Sequence, residues 1–320
     1  MNKKETLSDE EMIFIASLRG HSVKSYNKRK GTDKYRPRIT EREKSLLENY
    51  REQQESISDA KKSKQPKILI FDIETSPMLA YVWGRFKQFV SLDQTISEWF
   101  MLSWSAKWLN NPNVMSDVLT PEEVANEDDG RIAKSMWHLF NEADIVVAHN
   151  GSRFDVPKLN SRFLLNGLMP PTPYKQIDTL QVARKEFGFS SNKLDALAGY
   201  LNIEHKSDTN FNLWKRCLAG EQEALDYMLA YNIKDVEILE KVYLRLRPWI
   251  KNHPNVSLYL ENEDETCPHC GSINVADTGT FSYTNVSKFS NIRCLDCKGL
   301  ARRRTSDYPK EKRKSLVVSV

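Results

Sequence analysis

The stretch from Lys67 to Thr75, KILIFDIET, constrains the fold of this chain more than any other. Ile68, Leu69, Ile70 and Phe71 form an unbroken apolar run, the pattern of a strand buried on both faces at the centre of a sheet. The run ends in Asp72-Ile73-Glu74, and strand alternation projects both carboxylates from one face. Two neighbouring acids repel each other, and burying either is costly unless a cation or a hydrogen-bond donor compensates. Mg²⁺ or Mn²⁺ held on oxygen ligands supplies that compensation. A strand end open to water, with both acids solvated, does without it. The acids further along the chain decide between the two.

With 320 residues, 40% hydrophobic and 28% charged, the chain is long enough for one sizeable core and smaller modules. No apolar run approaches the ~20 residues of a membrane span. The N-terminus, MNKKETLSDEE, lacks the apolar segment of a secretory signal, so the expectation is a cytoplasmic protein with no membrane partner. The net charge of +4 hides an uneven distribution. Residues 1–66 carry 16 Lys/Arg against 11 Asp/Glu, residues 298–314 carry 8 against 2, and the middle is net acidic. Basic ends around an acidic centre fit a cation site presented to a polyanion such as nucleic acid. They equally fit solvated tails.

Ser8-Asp9-Glu10-Glu11 and Thr40-Glu41-Arg42-Glu43 both match the capping-box pattern. They predict helices over residues 9–18, stopping at Gly20, and 41–54, with a polar linker up to Pro66. The basic segment between them, SVKSYNKRKGTDKYRPR, interleaves Tyr26 and Tyr35. It reads as a helical appendage, or else as a small helix-turn-helix-like nucleic-acid module.

Beyond Thr75, LAYVWGRF and FMLSWSAKWL are rich in aromatic and branched residues and are expected as adjoining strands. Trp83, Trp99, Trp104 and Trp108 are expected to pack in the core or on a sheet face rather than serve as base-stacking platforms. Residues 131–141 have helical periodicity, and ADIVVAHN (143–150) reads as a second buried strand. A helix through Phe154, Leu159, Phe163 and Leu164 follows, placing Asp155 just past a strand and near a helix N-terminus. Open α/β sheets form their sites at such positions, though an acid there also serves as a simple cap. Ile177-Asp178-Thr179 ends a further strand, KLDALAGYLNI is a short helix, and 220–246 is a long one. On that last helix Tyr231 and Asp235, four residues apart, share one side.

Asp72-Ile73-Glu74, the run His149-Asn150-Gly151-Ser152-Arg153-Phe154-Asp155, and Tyr231-Asn232-Ile233-Lys234-Asp235 together resemble the three motifs of the proofreading-type 3′–5′ exonucleases. These enzymes belong to the RNase H-like superfamily, and the Tyr-x-x-x-Asp form is that of their tyrosine subgroup. The resemblance covers about residues 67–249 and is closest to the exonuclease domains attached to family B polymerases. It implies an α/β fold with an RNase H-like mixed five-stranded sheet flanked by helices. It also implies hydrolysis at 3′ ends, most readily of single-stranded DNA, with two Mg²⁺ or Mn²⁺ ions ~3.5–4 Å apart. Asp72 would bridge both ions, Glu74 and Asp235 would complete one, and Asp155 would hold the other through water. Tyr231 would orient or help deprotonate the attacking water, and its ordinary pKa near 10 leaves most of the activation to the metal. Asn150, Phe154 and Thr75 are implied substrate contacts, Asn150 alternatively fixing its loop, and Asp178 supports the site rather than ligating. A separate DNA polymerase or replication protein is an implied partner. A ribonuclease of the same fold, and a non-catalytic nucleic-acid-binding adaptor, are the alternative readings.

Of five cysteines, Cys217 is expected as a buried small hydrophobe. Cys267-Pro-His-Cys270 and Cys294-Leu-Asp-Cys297 lie 23 residues apart, the spacing of a zinc ribbon holding one structural Zn²⁺. A pair of cytosolic disulfides is the disfavoured alternative, and His269 is a spare ligand at best. The segment between the two pairs alternates as a hairpin would, and so small a unit needs its metal to fold. The tail is basic enough to track phosphates, protein docking being the other use of such ribbons. The expected organisation is a basic helical N-terminal arm and linker (1–66), an exonuclease domain (67–250), a zinc ribbon (262–300) and a basic tail (301–320).

Overall fold

A computed structural model describes residues 7–19, 39–60, 66–204, 209–261 and 263–318. The N-terminal arm contributes α1 (Asp9–Leu18) and α2 (Glu41–Ala60). Both capping boxes form: Ser8 Oγ accepts from the Glu11 N–H, and Thr40 Oγ1 from the Glu43 N–H, each at 3.2 Å. The two helices pack through a Phe14–Tyr50 ring stack at 4.4 Å and the Arg19–Glu43 and Arg51–Glu11 ion pairs. Helix α2 runs six residues past its expected end at Gln54, since no Gly or Pro interrupts the chain before Pro66. Gly20 and the basic segment 22–38 lie outside the described residues.

The main domain runs β1 (Ile68–Thr75), β2 (Leu79–Ala80), β3 (Thr95–Ser97), β4 (Met101–Trp108), β5 (Met115–Val118), α3 (Pro121–Ala125) and α4 (Gly130–Glu142). It continues with β6 (Ile145–Ala148), α5 (Asp155–Leu165), β7 (Lys175–Asp178), α6 (Thr179–Glu186), α7 (Leu194–Tyr200), α8 (Phe211–Leu218) and α9 (Gln222–Leu246). Five strands form one mixed sheet in the order β5-β4-β1-β6-β7, with β4 antiparallel to both β1 and β5, and β6 parallel to both β1 and β7. The expected class, an α/β five-stranded mixed sheet flanked by helices, is the one observed.

Strand β1 lies at the centre, and its two faces meet different cores. Leu69, Phe71 and Ile73 pack with Met136, Trp137 and Phe140 of α4 and with Leu159 and Phe163 of α5. Ile68 and Ile70 pack with Val236, Leu239, Val242 and Tyr243 of α9. Burial on both faces is why the strand reads as a continuous apolar run, each side chain contributing roughly 1.5–3 kcal/mol. Asp72 and Glu74 continue the Ile68–Ile70 face toward α9. The first half of α9 (Ala224, Leu225, Met228) belongs to one core and the second half to the other, with Asn232 and Asp235 near the crossing.

The expected strand LAYVWGRF is the main departure. Only Leu79 and Ala80 pair, with the short β3, and residues 81–91 leave the sheet altogether. Trp104 is buried and Trp99 and Trp108 are half-buried, but Trp83 stands in solvent, against the expectation of packing.

At the C-terminal end β8 (Val275–Thr284), β9 (Ser287–Cys294) and β10 (Leu300–Arg302) form a separate antiparallel sheet, followed by α10 (Lys310–Lys314). Strand β10 carries this sheet two residues into the expected tail, and Arg303 then pairs with Glu265 and Asp277. No helix among the described residues is long and apolar enough to cross a membrane.

Candidate active site

The carboxylates of Asp72 and Glu74 at the end of β1 meet that of Asp235 on α9, with one oxygen of each within 4.8 Å of the others. A register shift between β1 and β4 at Glu74/Thr75 marks where the strand is re-aimed beside the cluster. Asn232, fully buried one turn before Asp235, donates through Nδ2 to Asp72 Oδ2 at 2.7 Å. That charge-assisted bond fixes the rotamer of Asp72.

Asp155 opens α5 and is only 2% exposed. Its Oδ1 accepts from the Ile73 N–H at 3.3 Å, so it sits against β1 between the other two strand acids. Burial pushes its carboxyl up to about 7, and Asp178 adds to the rise, while the Ile73 N–H and Lys158 oppose it. The loop that delivers it is tightly built. Asn150 takes a left-handed conformation (φ 70°), and its N–H donates to Asp178 Oδ1 at 3.0 Å. The Ser152 N–H and hydroxyl donate to Asp178 Oδ2 at 3.2 and 2.5 Å, and the same carboxylate caps α6 through the Leu180 and Gln181 N–H groups. A Cβ on Gly151 would lie 2.5 Å from that of Ala148, so only glycine fits there. Asp178 is thus occupied in holding the loop.

Asp72, Glu74, Asn150, Phe154, Asp155, Tyr231 and Asp235 line one cleft of about 570 Å³, together with Arg184 and Lys193. Thr75 faces the adjoining cavity instead, beside Trp99, Lys158, Phe211 and Trp214. Lys158 Nζ donates to Thr75 Oγ1 at 3.2 Å and lies 3.6 Å from the centre of the Trp99 ring, while Trp214 Nε1 donates to the Thr75 carbonyl. Three carboxylates this close are costly without positive charge among them, and an all-oxygen donor set suits a hard divalent cation.

Sequence reasoning missed Asn232, Lys158, Arg184 and Lys193. A signal existed for two of them. Asn232 interrupts the buried side of α9 three residues before Asp235, and Lys158 lies three residues after Asp155 on the same helix face.

A second donor cluster lies in the C-terminal module. The Sγ atoms of Cys267, Cys270, Cys294 and Cys297 lie within 4.8 Å of one another, and all four cysteines are free of disulfides. Cys267–Cys297 and Cys270–Cys294 are separated by 3.6 and 3.7 Å, close to the roughly 3.8 Å edge of a tetrahedron with 2.3 Å zinc–sulfur bonds. His269 is buried outside this tetrahedron, with Nε2 3.1 Å from the Ile250 carbonyl and its ring edge-on to His253, which bonds Tyr243 of α9. It joins the module to the main domain. Cys217 is fully buried, and burial pushes its thiol up to about 11, as suits a packing residue.

A mixed five-stranded α/β sheet with acids gathered at the end of its central strand is consistent with an RNase H-like fold. A family model described as the RNase_H superfamily matches residues 114–247, a span that takes in Asp155, Tyr231 and Asp235. The PolC-type DNA polymerase III of Ureaplasma parvum serovar 3 is 30% identical over 101 residues, which make up 31% of this chain and 7% of that protein. The chain therefore matches less than a tenth of the length of that relative. The family B DNA polymerase of the archaeon Pyrobaculum calidifontis superposes with a TM-score of 0.42 at 15% identity, over 57% of this chain and 25% of that one.

Proposed function

We propose that the protein is a metal-dependent 3′–5′ exonuclease that hydrolyses phosphodiester bonds at 3′ ends, most readily of single-stranded DNA. The observation that carries this reading is the meeting of Asp72 and Glu74 with Asp235, and with the buried Asp155, in one open cleft. The family model and the polymerase relative support a nucleic-acid substrate, and the relative favours DNA.

In this reading Asp72, Glu74 and Asp235 would hold one Mg²⁺ or Mn²⁺, and Asp72, with Asp155 acting through water, would hold a second. A pair of such ions supplies an activated water and stabilises charge on the leaving 3′ oxygen. The chain's own groups do the positioning. Asn232 keeps Asp72 pointed into the cleft, and Asp178 sets the loop from which Asn150, Phe154 and Asp155 face it. The Tyr231 hydroxyl orients the attacking water, while Asn150 and Phe154 contact the terminal nucleotide from the rim and Thr75 does so from the adjoining cavity. Arg184 and Lys193 offset the charge of the incoming phosphates. Cys267, Cys270, Cys294 and Cys297 hold one structural Zn²⁺, whose module and basic tail extend the nucleic-acid contact. The working units proposed are the arm (1–66), the nuclease domain (67–250), and the ribbon (262–300) and tail (301–320), whose shared boundary β10 (Leu300–Arg302) crosses. A separate DNA polymerase or replication protein is the partner proposed for this activity.

The test compares wild type with Asp72→Ala on 5′-labelled single-stranded DNA and RNA, with Mg²⁺, Mn²⁺ or EDTA. A ladder of 5′-labelled products from DNA with wild type only, abolished by EDTA, is expected. A ladder from RNA alone supports a ribonuclease instead, and activity that survives Asp72→Ala refutes the site.

A further inference from the structure

The excursion between β1 and β4 carries a group of aromatic side chains outside the two cores, and the site described above does not use it. Its neck is pinned where β1 ends: the Ser76 N–H donates to the Phe100 carbonyl at 2.9 Å, and the Phe100 N–H to Ser76 Oγ at 2.8 Å. The short β2–β3 pair, a Tyr81 N–H to Gln94 carbonyl bond and the turn at Ser91–Gln94 give it a shape of its own. None of residues 78–97 belongs to either core cluster. Tyr81, Trp83, Phe86 and Phe89 are 74%, 98%, 86% and 91% exposed. A chain that folds a loop through its own hydrogen bonds while leaving four rings in water presents a surface for something else.

The charges say what that partner is. Arg85 and Lys87 stand among the rings, whereas the excursion's acids, Asp93 and Glu98, lie beyond the last of them, Phe89. The centre of a protein-docking face is depleted of charged residues, lysine among them. Rings interleaved with cations are instead the composition that stacks unpaired bases and tracks their phosphates. Position agrees: both ends of the excursion lie at the strand end that carries Glu74 and Thr75, beside Trp99 and Lys158, next to the acids of the cleft. We propose that Tyr81, Trp83, Phe86 and Phe89 form a stacking platform for the unpaired bases of a nucleic-acid strand, with Arg85 and Lys87 on its phosphates. The choice of ligand rests on the nuclease reading above.

The test uses the full chain with Trp83, Phe86 and Phe89 all replaced by alanine, and a second variant with Arg85→Ala and Lys87→Ala. Binding of a 5′-fluorescein-labelled 20-residue oligothymidylate is followed by anisotropy without added Mg²⁺ or Mn²⁺. Each stacked base is worth about fivefold to 150-fold in affinity, so the triple variant should bind at least tenfold more weakly. The charge variant should flatten the slope of log affinity against log salt by about 1.4. Hydrolysis of the p-nitrophenyl ester of thymidine 5′-monophosphate with Mn²⁺, which needs the cleft but no platform, should match wild type in both variants. Unchanged oligonucleotide affinity in the triple variant overturns the proposal. So does a triple variant that loses only self-association in sedimentation, which would assign the rings to a second copy of the chain. Wild type that fails on the ester yet binds the oligonucleotide through these rings removes the nuclease reading and leaves the platform standing.

Discussion

Replacing Asp155 by asparagine should stabilise the cation-free protein, by an amount that depends on pH. The carboxyl is raised from 3.8 to about 7, chiefly by burial. At about 1.4 kcal/mol per pH unit this corresponds to a cost of the order of 4 kcal/mol for holding the ionised form in the folded state. The sign follows from which state binds the proton. Well below pH 3.8 the group is neutral both folded and unfolded, and there is no cost. Between pH 4 and 7 the folded state keeps a proton that the unfolded state releases, so stability falls as pH rises, and above 7 the full cost is present. Asparagine carries no charge, and its amide oxygen still accepts from the Ile73 N–H. Urea unfolding without added divalent cation, followed by tryptophan fluorescence, should show a gain of a few kcal/mol at pH 8 that shrinks to about 1 kcal/mol near pH 4.5. Adding Mg²⁺ at pH 8 should stabilise wild type more than the variant. An equal effect at both pH values, or a less stable variant at pH 8, would refute the argument.

Asn232→Ala removes a 2.7 Å bond to a carboxylate, worth about 1.5–3 kcal/mol. It should raise the Mg²⁺ or Mn²⁺ concentration for half-maximal nuclease activity roughly tenfold or more, and an unchanged metal requirement would show that Asp72 needs no such support. Gly151→Ala brings a methyl group within 2.5 Å of Ala148, so a loss of about 1–3 kcal/mol is expected in thermal unfolding; wild-type stability would mean that the β6–α5 turn has room to yield. Denaturing the purified protein with a zinc indicator present should release about one Zn²⁺ per chain. Cys294→Ser should lower that yield and expose the C-terminal module to proteolysis, whereas no zinc from wild type would leave the thiol cluster without its metal.

What could be read from the sequence, and what could not, divides along a physical line. Strand β1 was legible because burial on both faces leaves an unbroken apolar run, and the acids at its end can only be accommodated where charge gathers. Helix α9 was legible from the spacing of its apolar residues, and the four thiols from their two tight pairs. Asn232 was hidden, because an asparagine in a helix has the same letter whether it caps, faces water or holds a carboxylate; only the arrival of Asp72 from 160 residues away gives it a role. Residues 79–86 were misread for a related reason. Branched and aromatic residues favour a strand only where a neighbouring strand or core receives them, and β1 already pairs with β4 and β6. With both edges of the central strand occupied, the segment cannot pair beside β1, and only its first two residues pair, with the short β3. Its apolar residues then measure what the molecule presents outward rather than what it buries, and the cations among them become the informative part of the pattern.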